Sequence, residues 1–202
     1  MKVIGITGGI GTGKSTVSEY LRNKGYRIID ADEISRSMTR KGSPVLDEIA
    51  EAFGPDMIGP DGELLRQRMA QVVFSDPVKK EKLERIVTDR VVEETRRQAD
   101  ELREQGDGLG FLDAPLLFEA GCDRFTDGVW LVTADPELRI QRVMERDQCS
   151  REQVMARMAN QMPEEEKRKR STEILDNSGD LDDLLQKIDA LLAKYHLTKG
   201  GN

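Results

Sequence analysis

The string Gly8-Gly9-Ile10-Gly11-Thr12-Gly13-Lys14-Ser15 limits what this chain can fold into more than any other. It follows a short apolar run over residues 3–7 and fits the pattern G-x-x-x-x-G-K-[ST]. Glycines at this spacing let successive backbone N–H groups curl around phosphate oxygens. The lysine reaches the terminal phosphates and the hydroxyl ligates Mg²⁺. Residues 16–21 read as a helix whose positive N-terminal end faces those phosphates. Strand, loop and helix thus stand in the order a triphosphate site requires. Its candidate residues are Gly9, Gly11, Thr12, Gly13, Lys14, Ser15 and Thr16.

The rest of the chain alternates strands and helices. Strands are expected over 3–7, 26–29, 109–112, 129–133 and 174–176. Helices are expected over 16–23 and 33–39, and from Ser43-Pro44 with Val45, Leu46, Ile49 and Phe53 on one side. After a loop over 54–62, helices follow over 63–74 and from Asp76-Pro77, a cap and first-turn proline. The second carries Leu83, Ile86, Val87 and Val91 at helical spacing and turns polar toward Glu104, so its end should project into solvent. Helices over 136–146 and 150–161 come next, the latter with a Ser150/Gln153 capping box. A charged segment over 163–170 precedes a last helix over 181–195, with a frayed tail from Gly200. This alternation predicts an α/β fold, a parallel sheet flanked by helices, whose ligands bind beyond the carboxyl ends of the strands.

Three carboxylates fall at those ends: Asp30 and Asp32 after the second strand and Asp113 after the third. Phosphoryl transfer asks a protein for charge neutralisation, alignment and a carboxylate near the accepting hydroxyl. Asp32 is the candidate for that carboxylate, and it also reads as the cap of a helix starting at Glu33. Asp30 fits either a loop role or help in holding Mg²⁺ or substrate. Asp113, closing an apolar strand, fits a Mg²⁺ carboxylate alongside Ser15. Residues 139–170 hold nine Lys or Arg against six Asp or Glu, a basic stretch within a chain of net charge -7. Arg139, Arg142 and Arg146 recur there on one helical face. Arg142, then Arg146, is the candidate for covering the developing phosphate charge. Arg66 and Arg68 could hold substrate phosphates.

The acidic balance argues against nucleic acid or an anionic membrane as partner. Cys122 and Cys149 show no metal or redox spacing and read as reduced thiols of a cytoplasmic protein. The one histidine, His196, lies at the end of the last helix, which nearly excludes histidine chemistry. The start reads as a strand, not a signal peptide, and no 18-residue apolar span exists. N-K-x-D and LSGGQ-like signatures are missing, which disfavours GTPases and transporter ATPases. A kinase for another nucleoside or small phosphorylated acceptor, and a nucleotide-binding protein without transfer, share the phosphate loop. Asp32 and Arg142 argue against the second.

Beyond the loop, the chain resembles dephospho-coenzyme A kinases over nearly its whole length. The resemblance runs through ITGGIGTGKSTV from Ile6, IIDADEISR from Ile28, Phe53-Gly54, and a DG followed by Arg66. It continues through VFSDP from Val73, LERIV from Leu83, DAPLLFEAG from Asp113, QRVMER from Gln141, NQMPEEEKRKR from Asn160 and ILDNSG from Ile174. It implies transfer of the γ-phosphate of ATP to the 3′-hydroxyl of dephospho-CoA, with ATP and Mg²⁺ and no macromolecular partner. It places Asp32 as the catalytic carboxylate, assisted by Lys14 and Arg142, and Asn177 near the adenine. Arg36, Arg66 and Arg146 fall to the substrate. The chain divides into a core (about 1–40, 105–138 and 171–197), a CoA-side helical region (about 60–104) and a lid (about 139–170), as a monomer or weak homo-oligomer. Thr88-Asp89 stands where the family carries His-Pro, and Ser171-Thr172 where it carries Ala-Asp.

Overall fold

This computed structural model describes every residue except Ser75, Asp107 and 198–202. The side chain of His196 and the tail from Gly200 lie outside the described residues. Five strands make one sheet in the order β2-β3-β1-β4-β5: β1 Lys2–Gly8, β2 Arg27–Asp30, β3 Leu109–Asp113, β4 Gly128–Thr133 and β5 Glu173–Asp176. The pairings β1–β3, β1–β4 and β4–β5 are parallel. β1, β3 and β4 are buried almost throughout, which is why their sequences run apolar without alternation. Register puts Ile6 beside Asp113, Gly8 beside Val132 and Thr133 beside Asp176. The phosphate loop, Asp113 and the turn after β5 therefore leave the sheet along one edge.

The chain forms two compact units, 1–29 with 99–202, and 30–98. In the first, α1 (Lys14–Asn23) and α9 (Leu181–Leu197) flank the sheet. Their Val17, Leu21, Leu184, Ile188 and Leu192 pack with Ile4, Ile6, Phe111 and Trp130. Edge-on ring contacts link Tyr26, Phe111, Trp130 and Tyr195 with centroids 5.2–5.8 Å apart. α6 (Pro136–Asp147), α7 (Arg151–Ala159) and α8 (Glu164–Arg170) belong to the same unit. The Ser150/Gln153 capping box forms as expected.

The second unit holds α2 (Ala31–Ser37), α3 (Pro44–Phe53), α4 (Arg66–Phe74) and most of α5 (Pro77–Glu104). Val45, Leu46, Ile49, Met57 and Met69 form its core, with Leu83, Ile86 and Val87 against them. α4 starts three residues later than the periodicity suggests. Ile58 bridges Leu64, and Leu65 N–H donates to the Met57 carbonyl at 2.9 Å, so residues 63–65 pair with the preceding turn instead. The end of α5 does not project into solvent. Ala99 and Leu102 are buried, and Arg103 Nη2 donates to the Phe125 carbonyl. Two small apolar contacts one turn apart suffice to dock an otherwise polar helix end.

Candidate active site

The phosphate loop turns from β1 into α1 through Gly11 and Gly13, both at positive φ, and Gly13 caps the helix. The loop closes on itself: Thr12 N–H and Oγ1 both donate to the Gly9 carbonyl, at 3.3 and 2.9 Å. α1 begins at Lys14, two residues before the expected start, so Lys14 and Ser15 supply first-turn N–H groups with no intrahelical acceptor. Such a terminus attracts anions through both its N–H groups and its dipole.

Lys14 Nζ is ion-paired with Asp113 at the end of β3, with both side chains largely buried. Asn177 sits one residue beyond β5 and is itself buried. Its Nδ2 donates to the Thr12 carbonyl at 2.8 Å, and its carbonyl accepts from Arg142 Nη1 at 3.2 Å. A Cβ on Gly13 would collide with that Asn177 amide, so glycine is required there twice over. Within this unit the structure thus gathers Gly9, Gly11, Thr12, Gly13, Lys14, Asp113, Arg142 and Asn177. Thr16 follows in the first turn of α1, and Ser15 is exposed at the same helix start.

Arg146 does not join this gathering by any recorded contact. It pairs with Asp147 at 2.7 Å, and Asp147 also holds Arg157 at 2.7 Å. Those arginines, Arg146 first, bring the Asp147 carboxyl down to about 2. Arg139 departs further from the sequence reading. It is buried, donating from Nε to the Ile10 carbonyl at 3.0 Å and from Nη1 to Glu164 at 3.1 Å. Burial pulls its guanidinium below the ordinary value, with Glu164 opposing.

A second group missed by the sequence reading ties α8 to the loop after β3. Lys167 is fully buried, with Nζ 2.9 Å from Glu119 and 3.4 Å from the Pro115 carbonyl. Burial pushes the Glu119 carboxyl up, but hydrogen bonds from Lys167 and Met162 N–H outweigh it and hold the group below its usual range. A lysine in the charged run EEEKRKR gives no sequence signal of such a role. Ser171 and Thr172 have a clear local use. Thr172 N–H and Oγ1 both reach the Val129 carbonyl at 2.9 Å, and Ser171 Oγ reaches the Lys167 carbonyl at 2.7 Å.

In the other unit, Asp30 and not Asp32 caps α2, accepting from Glu33 N–H at 2.9 Å. Asp32 lies in the first turn, exposed. Helix geometry explains the correction, because a cap precedes the first helical residue and the helix starts at Ala31. Arg36 and Arg40 share Glu33, at 3.0 and 2.8 Å. The Arg36 hydrogen bond, then the Arg40 charge, lowers the Glu33 carboxyl. Arg66 Nη2 donates to Thr39 Oγ1 at 2.9 Å, and Arg68 is ion-paired with Asp56. Both arginines line an open depression of about 760 Å³ with Leu64, Leu65 and Gln71. Thr88 and Asp89 are exposed on α5.

Magnesium keeps several waters and takes only one or two protein oxygens, the rest coming from phosphates. Ser15 and Asp113 suit that demand: a hydroxyl at the helix start and a carboxylate at the strand end. Among the described residues no cluster of three His, Cys, Asp or Glu could cage an ion.

A family model described as dephospho-CoA kinase matches residues 2–183. The chain belongs to the dephospho-CoA kinase family. It is a phosphotransferase. The dephospho-CoA kinase of Symbiobacterium thermophilum is 43% identical over 190 residues, covering 94% of this chain and 80% of that one. Of solved structures, a Thermus thermophilus protein is 42% identical with a TM-score of 0.75, covering 96% and 97% of the two chains. A Campylobacter jejuni dephospho-CoA kinase is 26% identical with a TM-score of 0.73, covering 96% and 98%. Shikimate kinase from Acinetobacter baumannii, at 16% identity and a TM-score of 0.54, shares the fold alone. Among the described residues no helix is long and apolar enough to cross a membrane.

Proposed function

We propose that the cluster around Lys14 is the donor side of an ATP-dependent kinase site and that Asp32 serves the acceptor. The reaction is the one its family performs: ATP phosphorylates the 3′-hydroxyl of dephospho-CoA, giving CoA and ADP, the final step of coenzyme A biosynthesis. The observation that carries the donor assignment is the sheet register, which sends the phosphate loop, Asp113 and Asn177 off one edge, where Arg142 meets them.

The loop N–H groups and the start of α1 hold the β- and γ-phosphates of ATP. Lys14 neutralises charge on them, and Arg142 answers the charge that spreads over the equatorial oxygens as the bond to the leaving oxygen lengthens. Ser15 and Asp113 hold Mg²⁺, which when bound withdraws charge from the phosphate oxygens. The bond from the γ-phosphorus to the β–γ bridging oxygen breaks and one to the 3′-oxygen forms. The hydroxyl proton passes to the Asp32 carboxylate. Asn177 lies by the adenine, and Arg36, Arg66 and Arg146 serve the acceptor's phosphates. The region over about 60–104 takes the CoA portion and the segment over about 139–170 acts as lid. The enzyme works in the cytoplasm on small molecules alone, as a monomer or weak homo-oligomer.

The purified chain, given ATP, Mg²⁺ and dephospho-CoA, is expected to form CoA and ADP in equal amounts. No CoA under conditions where ATP binds refutes the reaction. Asp32→Asn is expected to lower kcat by about 10³-fold, within the range for a lost general base, while ATP still binds. Unchanged turnover would remove Asp32 from its role.

A further inference from the structure

The phosphate-loop pattern demands glycine at Gly8 and Gly13, yet this chain also has Gly9 and Gly11. Arg139 crowds both, and Gly11 also stands at positive φ. A Cβ on Gly9 would collide with the Arg139 guanidinium, and one on Gly11 would lie 2.6 Å from the Arg139 carbonyl oxygen, closer than real Cβ contacts come. α6 therefore rests both backbone and side chain on the loop, with glycine required at Gly11, where the contact is to backbone.

The polar contacts at this place are matched. Arg139 Nε donates to the Ile10 carbonyl at 3.0 Å, and Ile10 N–H donates to Gln161 Oε1 at 2.9 Å. Both backbone groups of Ile10 are thus held by side chains from outside the loop. Arg139 Nη1 extends the contact to Glu164 at the first residue of α8, 3.1 Å away. An N–H directed at Gln161 is not directed at a phosphate, so the donors for the ligand come from later in the loop and from α1. Their direction depends on how the preceding turn is held.

We propose that Arg139, together with Gln161, is a positioning residue pair that fixes the phosphate loop through Ile10 and so sets the affinity for the triphosphate. The division of labour on α6 follows. Arg142 serves the phosphates, whereas Arg139, one turn earlier, shapes the cradle without touching them. The inference rests on the reading of this loop as the triphosphate site.

The test compares the full chain with Gln161→Leu, Arg139→Met and Arg139→Lys. It reads KM for ATP, KM for dephospho-CoA, inhibition by inorganic tripolyphosphate and the melting temperature. Gln161→Leu is expected to raise the ATP KM and the tripolyphosphate inhibition constant about tenfold, and Arg139→Met about thirtyfold or more, as for lost charge-assisted contacts. The dephospho-CoA KM is expected to stay within about twofold, since its phosphates are held elsewhere. Arg139→Lys, which keeps a donor for Ile10, is expected to fall between. A lower melting temperature with the ATP and tripolyphosphate constants unmoved would mean a role in stability alone, and would overturn the proposal. If Arg139→Met does not fold, Gln161→Leu decides by the same split. Wild-type protein that ignores tripolyphosphate and ATP would overturn the phosphate-site reading and this inference with it. Equal binding by wild type and variants would overturn the inference only.

Discussion

The two units carry charge in opposite ways. Around the phosphate loop the polar groups are buried and tied to one another: Lys14 to Asp113, Asn177 to Thr12, Arg139 to Ile10, Lys167 to Glu119. In the unit over residues 30–98 these arginines stand exposed on surface partners: Arg36 and Arg40 on Glu33, Arg68 on Asp56, Arg66 on Thr39. Buried networks hold one arrangement, because each unsatisfied member would cost its full desolvation. Exposed pairs contribute at most about 1 kcal/mol and exchange partners easily. On the proposed assignment, triphosphate recognition is preorganised. On the same assignment, the basic groups of the other unit can trade a surface partner for a substrate phosphate.

The sharpest way to break this contrast is Lys14→Met. Loss of a preorganised donor to developing negative charge is expected to lower kcat/KM for ATP by roughly 10²–10³-fold, or ~2.7–4 kcal/mol. A loss under tenfold, by steady-state kinetics, would mean that the pair with Asp113 is only structural.

Next comes Lys167→Met, which strands Glu119 beside buried surface. A cost of about 3 kcal/mol is expected, at the low end for a broken buried pair because Glu119 keeps the Met162 N–H. For a chain of this size that is a drop of ~6–12 °C in melting temperature. The same pair sets an acid limit. Glu119 titrates below its usual value in the folded protein, so the unfolded chain binds more protons as pH falls below about 4.5, its ordinary pKa. Its contribution is full at neutral pH and is lost as pH falls through the lower, folded value. Lys167→Met is expected to flatten that acid slope in melts over pH 5 to 3; an unchanged slope would assign it to other carboxylates.

The smallest effect on stability belongs to Arg66→Ala, which removes one exposed contact to Thr39. Less than about 1 kcal/mol is expected. The dephospho-CoA KM is expected to rise about tenfold with the ATP KM unchanged, as for one lost charge-assisted hydrogen bond. A rise in the ATP KM instead would place Arg66 on the wrong side of the comparison.

How much of this was readable from the residues depends on the kind of interaction. Strands and their order of appearance were legible because β1, β3 and β4 are buried on both faces and run apolar. The loop, Lys14 and Asp113 follow from position at strand ends, whereas Asn177 came only through the family resemblance. The sequence favours Arg142 over Arg139 for the phosphates, but spacing on a polar helix does not reveal that Arg139 is buried against the loop. The clue lay elsewhere: Gly9 and Gly11 exceed what the phosphate pattern needs, and surplus glycine marks a close neighbour. Asp30 and Asp32 exchanged the capping role because helix ends are uncertain by a residue or two when read from sequence. Lys167 left no trace, because a buried lysine and a surface one look alike in the string EEEKRKR.

One feature of the core has a spectroscopic side. The chain has a single tryptophan, Trp130, and three tyrosines, Tyr20, Tyr26 and Tyr195, and all four lie in the unit that holds the phosphate loop. The other unit contains only phenylalanine among aromatics, at Phe53 and Phe74. Fluorescence emission and near-ultraviolet dichroism are therefore dominated by the unit that holds the phosphate loop. An unfolding step confined to residues 30–98 would pass nearly dark in both, while far-ultraviolet dichroism registers the loss of α2–α4 and most of α5. The gap between those two signals measures whether the two halves melt together.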